Sequence, residues 1–322
     1  MEFEHRFVPF DRIDTEDTLF RISTGSVSAG LVESIQQIGL LNPPILIGCP
    51  KGYRIVSGFK RISACRKTGA GGLAVRILDP AAAIERCIQI AIADNTSQRS
   101  LNLVEQAHAV ALLSSVCTGY TQLAEAANLA GLSINPDMAA KLKSLAQMDP
   151  LLKSGVLDGS IALPVALQLH EMDDAAAVQA VGSLLRELGI SLNRQREMLE
   201  WIISICRRDD MAPAQLLAAD GIVDLRRNKD LDRRQKGQLI RTYLKKRRYP
   251  TILRYERRFA AIIHRLKLTQ GTCLIAPQHF ESPTYSLKFE FKNQSELSAK
   301  LKEFENIVKS DKLAALWSEL DD

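Results

Sequence analysis

Lys60 and Arg61 follow Ser57-Gly58, where the β-branched run Tyr53–Val56 gives way to the helical pattern Phe59–Lys67. A strand that feeds a helix through a glycine leaves the first-turn N–H groups without partners. The helix dipole there favours an anion. Cations in a first turn do not suit the helix itself. Lys60 and Arg61 therefore point to a negatively charged ligand, and the geometry is that of a phosphate site.

The elements that must hold this turn are legible on both sides. Leu31, Ile35 and Ile38 recur at helical spacing, and Gly39 stops the helix. Ile45–Ile47 and Tyr53–Val56 are short strands joined by a turn at Pro50–Gly52, and Val75–Leu78 is a further strand. Phe7–Phe10 reads as an entry strand, followed by a polar loop through Gly25. Asp79-Pro80 caps a helix over Ala81–Ala93. Asn102 or Ser100 caps another over Val104–Val116, with Glu105 closing a capping box.

The stretch Leu31–Leu78 resembles the N-terminal domain of the ParB partition-protein family, which shares its fold with sulfiredoxin. The residues that carry the likeness are Ser34-Ile35, Gly39, Pro43-Pro44, Gly52-Tyr53, Ile55-Val56, Gly58, Arg61 and Ala64. Phe59 and Lys60 stand where the family has a glutamate and its first arginine. The resemblance implies CTP, with the triphosphate over Gly58, Lys60 and Arg61. It continues into Asp94-Asn95, which match the family's Glu-Asn pair, with Leu101, Glu105 and Ala107 after it. The family's Asn helps hold Mg²⁺ and nucleotide phosphate, which assigns Asp94 and Asn95 to the nucleotide and Asn95 to the metal. The family's arginine falls at Gln98, and Arg99 lies one residue later.

Beyond this, Gly119–Ser133 resembles the opening of a helix-turn-helix. Thr121 serves as N-cap, Ala127 and Gly131 suit a close contact and a turn, and Ser133 starts a second helix through Met138, Leu142 and Leu145. Thr121, Gln122, Ser133, Lys141 and Lys143 are the candidate DNA contacts; a plain helical hairpin is the competing reading. Gly159, Ile161, Ala166 and Leu169 match a supporting segment of the same family. Helices follow over Ala175–Leu188 and Leu192–Cys206, then a polar junction over Asp209–Ile222.

Composition bounds the rest. The chain has 322 residues, 46% of them hydrophobic, and a net charge of +5. No apolar run approaches the roughly 18 residues of a membrane helix, and no signal-peptide core is visible, so a cytoplasmic, nucleoid-associated protein without a membrane partner is expected. Six scattered cysteines form no C-x-x-C pair and read as reduced and packed. The segment Arg226–Lys267 holds 16 Lys/Arg against 3 Asp/Glu, which leaves 26 basic against 34 acidic residues elsewhere. Solvated faces usually mix signs, so this block, with Lys245, Lys246, Arg247 and Arg248 at its centre, reads as a polyanion surface. Two strands, Thr272–Ala276 and Tyr285–Phe291, then a helix capped by Ser295 and a last helix with Leu313, Leu316 and Trp317, close the chain.

The expected class is α+β. It comprises a nucleotide-binding domain over 1–100, a helical helix-turn-helix domain over 101–220, and basic helices with a β-β-α unit over 221–322. The function implied by the resemblance is CTP-regulated binding of double-stranded DNA in plasmid or chromosome partition, as a homodimer with a ParA-type ATPase as partner and at most slow CTP turnover. Two alternatives stay open: a nuclease or phosphotransferase on the ParB/sulfiredoxin fold, and a DNA-binding transcription regulator that no longer binds nucleotide.

Overall fold

The computed structural model describes residues 3–277, 280 and 282–309. The expected last helix with Leu313, Leu316 and Trp317 lies outside them. The chain is α+β and separates into two compact units, Met1–Arg196 and Glu197–Asp322.

The first unit begins with a mixed five-stranded sheet. Its strands are β1 (Glu4–Pro9), β2 (Ile13–Asp14), β3 (Ile45–Cys49), β4 (Gly52–Ser57) and β5 (Gly72–Leu78), in spatial order β1-β5-β3-β4-β2. β3 and β4 form an antiparallel hairpin, with Ile47 opposite Arg54, while β3 runs parallel to β5 with Leu46 opposite Ile77. Helix α1 (Ala29–Ile38) precedes β3, and α2 (Phe59–Lys67) follows β4. Val8, Leu46, Ile55, Val75 and Ile77 from the strands pack with Ile62 and Cys65 of α2, so one face of the sheet is covered by the helix that starts at Gly58. Burial of such side chains contributes about 1.5–3 kcal/mol each.

The remainder of this unit is helical: α3 (Ile84–Thr96), α4 (Leu103–Leu113), α5 (Tyr120–Leu129), α6 (Pro136–Gln147), α7 (Pro150–Leu157), α8 (Leu163–His170) and α9 (Ala175–Leu188). α4 is the axis, packing against α3, α5, α6 and α7. Ile161, Ala166 and Leu169 of the supporting segment are fully buried. The buried Gln195 accepts from the Ala162 N–H and donates to the Ser160 and Ile190 carbonyls.

Helix α10 (Leu192–Asp209) spans the division between the units. In the second unit α11 (Pro213–Leu217), α12 (Asp220–Arg227), α13 (Arg233–Arg248) and α14 (Pro250–Leu266) are followed by the antiparallel strands β6 (Thr272–Ile275) and β7 (Ser286–Phe289), then α15 (Gln294–Val308). Ile262 and Leu266 pack with Tyr255, Phe259, Leu274, Tyr285 and Ile307 into a small core.

Several boundaries differ from the sequence reading. Asp79 caps a turn by accepting from the Ala81 N–H at 2.8 Å, and the helix starts later, at Ile84. The Asp209–Ile222 stretch is two short helices, with Leu216, Leu217 and Ile222 buried. Each is too short for its periodicity to stand out. Ser295 does not cap α15: Asn293 does, accepting from the Glu296 N–H at 2.8 Å. The expected pairing of Asn102 and Glu105 is present as a complete capping box at α4.

Glu105 does more than close that box. Its side chain is 2% exposed, yet it is charged. Arg99 donates to both carboxylate oxygens at 2.6 and 2.8 Å, and the Thr24 N–H donates at 2.8 Å. Burial alone pushes this carboxyl up. The Arg99 bonds, the N–H groups of Thr24 and Asn102, and the Arg99 charge together outweigh it and hold the group at about 2, against an ordinary 4.5. A depressed carboxylate stabilises the fold above its unfolded value. The contribution, about 3 kcal/mol, should therefore disappear as pH falls from about 4.5 towards 2. Glu105→Gln should lower stability near neutral pH by about 2–3 kcal/mol and flatten the acid-side decline. Urea unfolding at neutral and acid pH tests this, and an unchanged acid slope in the variant would assign the pH dependence to other groups.

Candidate functional site

A cleft of about 320 Å³ opens where β4 meets α2. Its floor is the turn Ser57–Arg61, its near wall is α1 with Leu31, Ser34 and Ile35, and its far wall is Asn95 at the end of α3 with Gln98 and Arg99 from the turn after it. Gly58, Lys60, Arg61, Asn95 and Arg99, proposed from two separate segments, thus line one cavity. The sequence reading missed Ile22-Ser23 and Leu40–Asn42, which complete the rim. Asn42-Pro43-Pro44 was the available signal for the second of these, because consecutive prolines hold an extended connection.

Gly58 is required at the turn. Its φ is +96°, and no side chain caps the first turn of α2. A β-carbon there would sit 2.8 Å from Pro44 Cβ. The first-turn N–H groups of α2 are therefore left for a ligand, at the positive end of the helix dipole.

The charges differ from expectation in one respect. Arg61 is already neutralised inside the protein: it donates to Asp94 at 2.6 Å and to the Asn42 carbonyl at 2.8 Å. Asp94 also accepts from Ser57 and from Gln98. Asp94 is therefore not a wall of the cleft but the counter-ion beneath it. Arg99 is likewise held by Glu105. Lys60 lines the cleft with no hydrogen bond or ion pair among the described residues. Asn95 lines the cleft and donates its Nδ2 to the Ala91 carbonyl at 2.8 Å, so this bond does not use its Oδ1. One hard oxygen suits Mg²⁺, which keeps several waters and takes its remaining ligands from phosphates. Phe59 is half-buried against the sheet core, so no carboxylate occupies its place. Among the described residues no group of three or more His, Cys, Asp or Glu is gathered for a metal.

The second candidate region is the pair α5 and α6. Thr121 lies inside α5 and does not cap it: Gly119 holds the N-cap position, and Gln122 reaches back to accept from the Thr118 N–H at 2.7 Å. Ser133 lies in the connection and starts no helix, because Asn135 caps α6 by accepting from the Met138 N–H at 2.7 Å, with Pro136 at its first position. The connection is fixed from both ends. Asn128 exchanges two 3.0 Å bonds with Ile134, and Thr96, at the end of α3, donates to the Ala130 carbonyl at 2.9 Å. Thr121, Gln122 and Ser133 are exposed. Lys141 pairs with Asp137 on its own helix, and Lys143 lies 5.8 Å from the centre of the Tyr120 ring.

In the second unit the four central cations separate by role. Lys245 and Lys246 are exposed, and their side chains carry no hydrogen bond or ion pair among the described residues. Arg247 contacts Asp209 at 3.3 Å, and Arg248 stacks over Tyr249 at 4.9 Å.

No family model matches the chain, and no curated protein matches it. Among solved structures it is similar to the C-terminally truncated chromosome-partitioning protein ParB from Caulobacter crescentus in two complexes. With CTP-gamma-S the identity is 18%, with 56% of this chain and 98% of that one covered at a TM-score of 0.27. With the centromeric parS site the identity is 18%, with 59% and 96% covered at 0.35. It is also similar to a Pnob8-like ParB-N domain at 13% identity, with 70% and 96% covered at 0.38.

Gly58→Ala should lower stability by about 1–3 kcal/mol, from the left-handed backbone and the Pro44 clash together. Chemical denaturation measures it; a loss below a few tenths would mean that the turn relaxes and is not built around glycine.

Proposed function

We propose that this chain is a ParB-like DNA-binding protein of plasmid or chromosome partition, whose cleft at Gly58 binds CTP. The observation that carries the reading is the cleft itself. It gathers Gly58, Lys60, Arg61, Asn95 and Arg99 from two distant segments around an uncapped helix start. Lys60 and the first-turn N–H groups of α2 would hold the phosphates, and Asn95 would supply an oxygen ligand to Mg²⁺. In this reading residues 1–100 bind nucleotide, 101–220 present α6 to the major groove, and 221–322 carry the basic helices and a dimer contact. Lys141 and Lys143 flank the bases, while Lys245 and Lys246 meet phosphates. A ParA-type ATPase is the expected partner. CTP turnover is at most slow, because Phe59 offers no group to orient a water.

A second reading has its own support: Arg61 and Arg99 are both neutralised by internal carboxylates, as a DNA-binding regulator without nucleotide would allow.

Calorimetry with CTP and Mg²⁺ separates the two. Wild type should bind, and Lys60→Ala should lose about 1.5–3 kcal/mol of affinity. No heat at millimolar CTP would favour the regulator.

For DNA, log K should fall with log salt with a slope near −5 if about six phosphates are neutralised. Lys245→Ala with Lys246→Ala should flatten that slope by about two contacts and weaken specific and random duplexes alike. A retained wild-type slope would mean that the basic block is only a solvated face.

A further inference from the structure

We propose a second phosphate-binding groove on the flank of α2, which shares Lys60 with the first cleft and takes a small oligophosphate anion such as pyrophosphate. The groove has a volume of about 290 Å³ and lies between α2 and the loop that precedes α1. Lys60, Ser63 and Lys67 line it from α2 at positions i, i+3 and i+7, which fall on one helical face. Arg21 and Ser26 line it from the loop, and Thr15 from the end beyond β2.

The charges are one-sided. The side chains of Arg21, Lys60 and Lys67 carry no hydrogen bond or ion pair among the described residues, and no carboxylate lines the groove. Of the acids nearby in sequence, Asp17 pairs with Arg54 and Asp14 accepts from the N–H groups of Glu16 and Asp17, while Glu16 follows Thr15 but does not line the groove. Arg66 donates to Thr15 at 3.2 Å and steadies the rim. Lys67 also complements the negative end of α2, but Arg21 and Lys60 have no such reason to stand there. Ile55 and Ile62, both under 3% exposed, contribute apolar lining, which strengthens a charge contact above it. Three cations with three hydroxyls match an anion of several oxygens and more than one charge.

The groove needs no nucleotide in the first cleft, and Lys60 is the group the two sites share. The test is calorimetric titration of the full chain with pyrophosphate, and separately with CTP and Mg²⁺. Arg21→Ala and Lys67→Ala, both at exposed positions, should each weaken pyrophosphate about tenfold or more, and Lys67→Glu further. Their CTP affinity should fall less than their pyrophosphate affinity, because of the groove's cations only Lys60 also lines the first cleft. Pyrophosphate binding that depends on Arg21 and Lys67 in a chain that ignores CTP would sink the nucleotide reading and support the groove. The proposal is overturned if wild type does not bind millimolar pyrophosphate. It is equally overturned if Lys60→Ala removes binding while Arg21→Ala and Lys67→Ala leave it unchanged, which would put the anion in the first cleft.

Discussion

The buried carboxylate of Glu105 is the joint on which the first unit depends. It binds the loop before α1 through Thr24, the connection after α3 through Arg99, and the start of α4 through Asn102. A charge at this depth is tolerated only because every approach to it is a donor. Removing any one of them would leave part of a charge unsolvated, so the loop at Thr24, 81 residues away in sequence, is held against the start of α4. The cleft inherits its walls from that arrangement.

The same logic shapes the cleft from beneath. Asp94 neutralises Arg61 and accepts from Ser57, which ties the start of α2 to α3. Two arginines thus serve as struts, each with its own carboxylate. The field in the cavity comes mainly from the uncapped helix start and from Lys60. Arginine forks suit fixed bidentate geometry, while a lysine is a mobile point charge.

The elements around the cleft were legible because their signals were local. The helix Phe59–Lys67 and its glycine were bounded correctly, since a β-branched run stops abruptly at Ser57-Gly58. So was the stop at Gly39. What failed were choices between neighbouring capping residues. Thr121, Ser133 and Ser295 each had the right chemistry, but Gly119, Asn135 and Asn293 hold the positions because the packing of the preceding segment sets where each helix begins. The internal pairing of Arg61 was hidden for a different reason. Asp94 lies 33 residues away in sequence, and which carboxylate reaches a given guanidinium is decided by tertiary packing.

Asn95 and Thr96 are consecutive residues on α3, yet they serve different places. Asn95 lines the cleft, while Thr96 holds the Ala130 carbonyl in the connection between α5 and α6. Gly131 beside it has φ +89°, and a β-carbon there would lie 2.8 Å from Thr96 Oγ1, so the contact leaves little slack. A helix transmits rotation and translation along its axis far better than it absorbs them. The cleft and the helix pair are therefore two ends of one lever. A displacement of α3 at the cleft would therefore have to break or carry with it the Thr96 contact to the connection before α6.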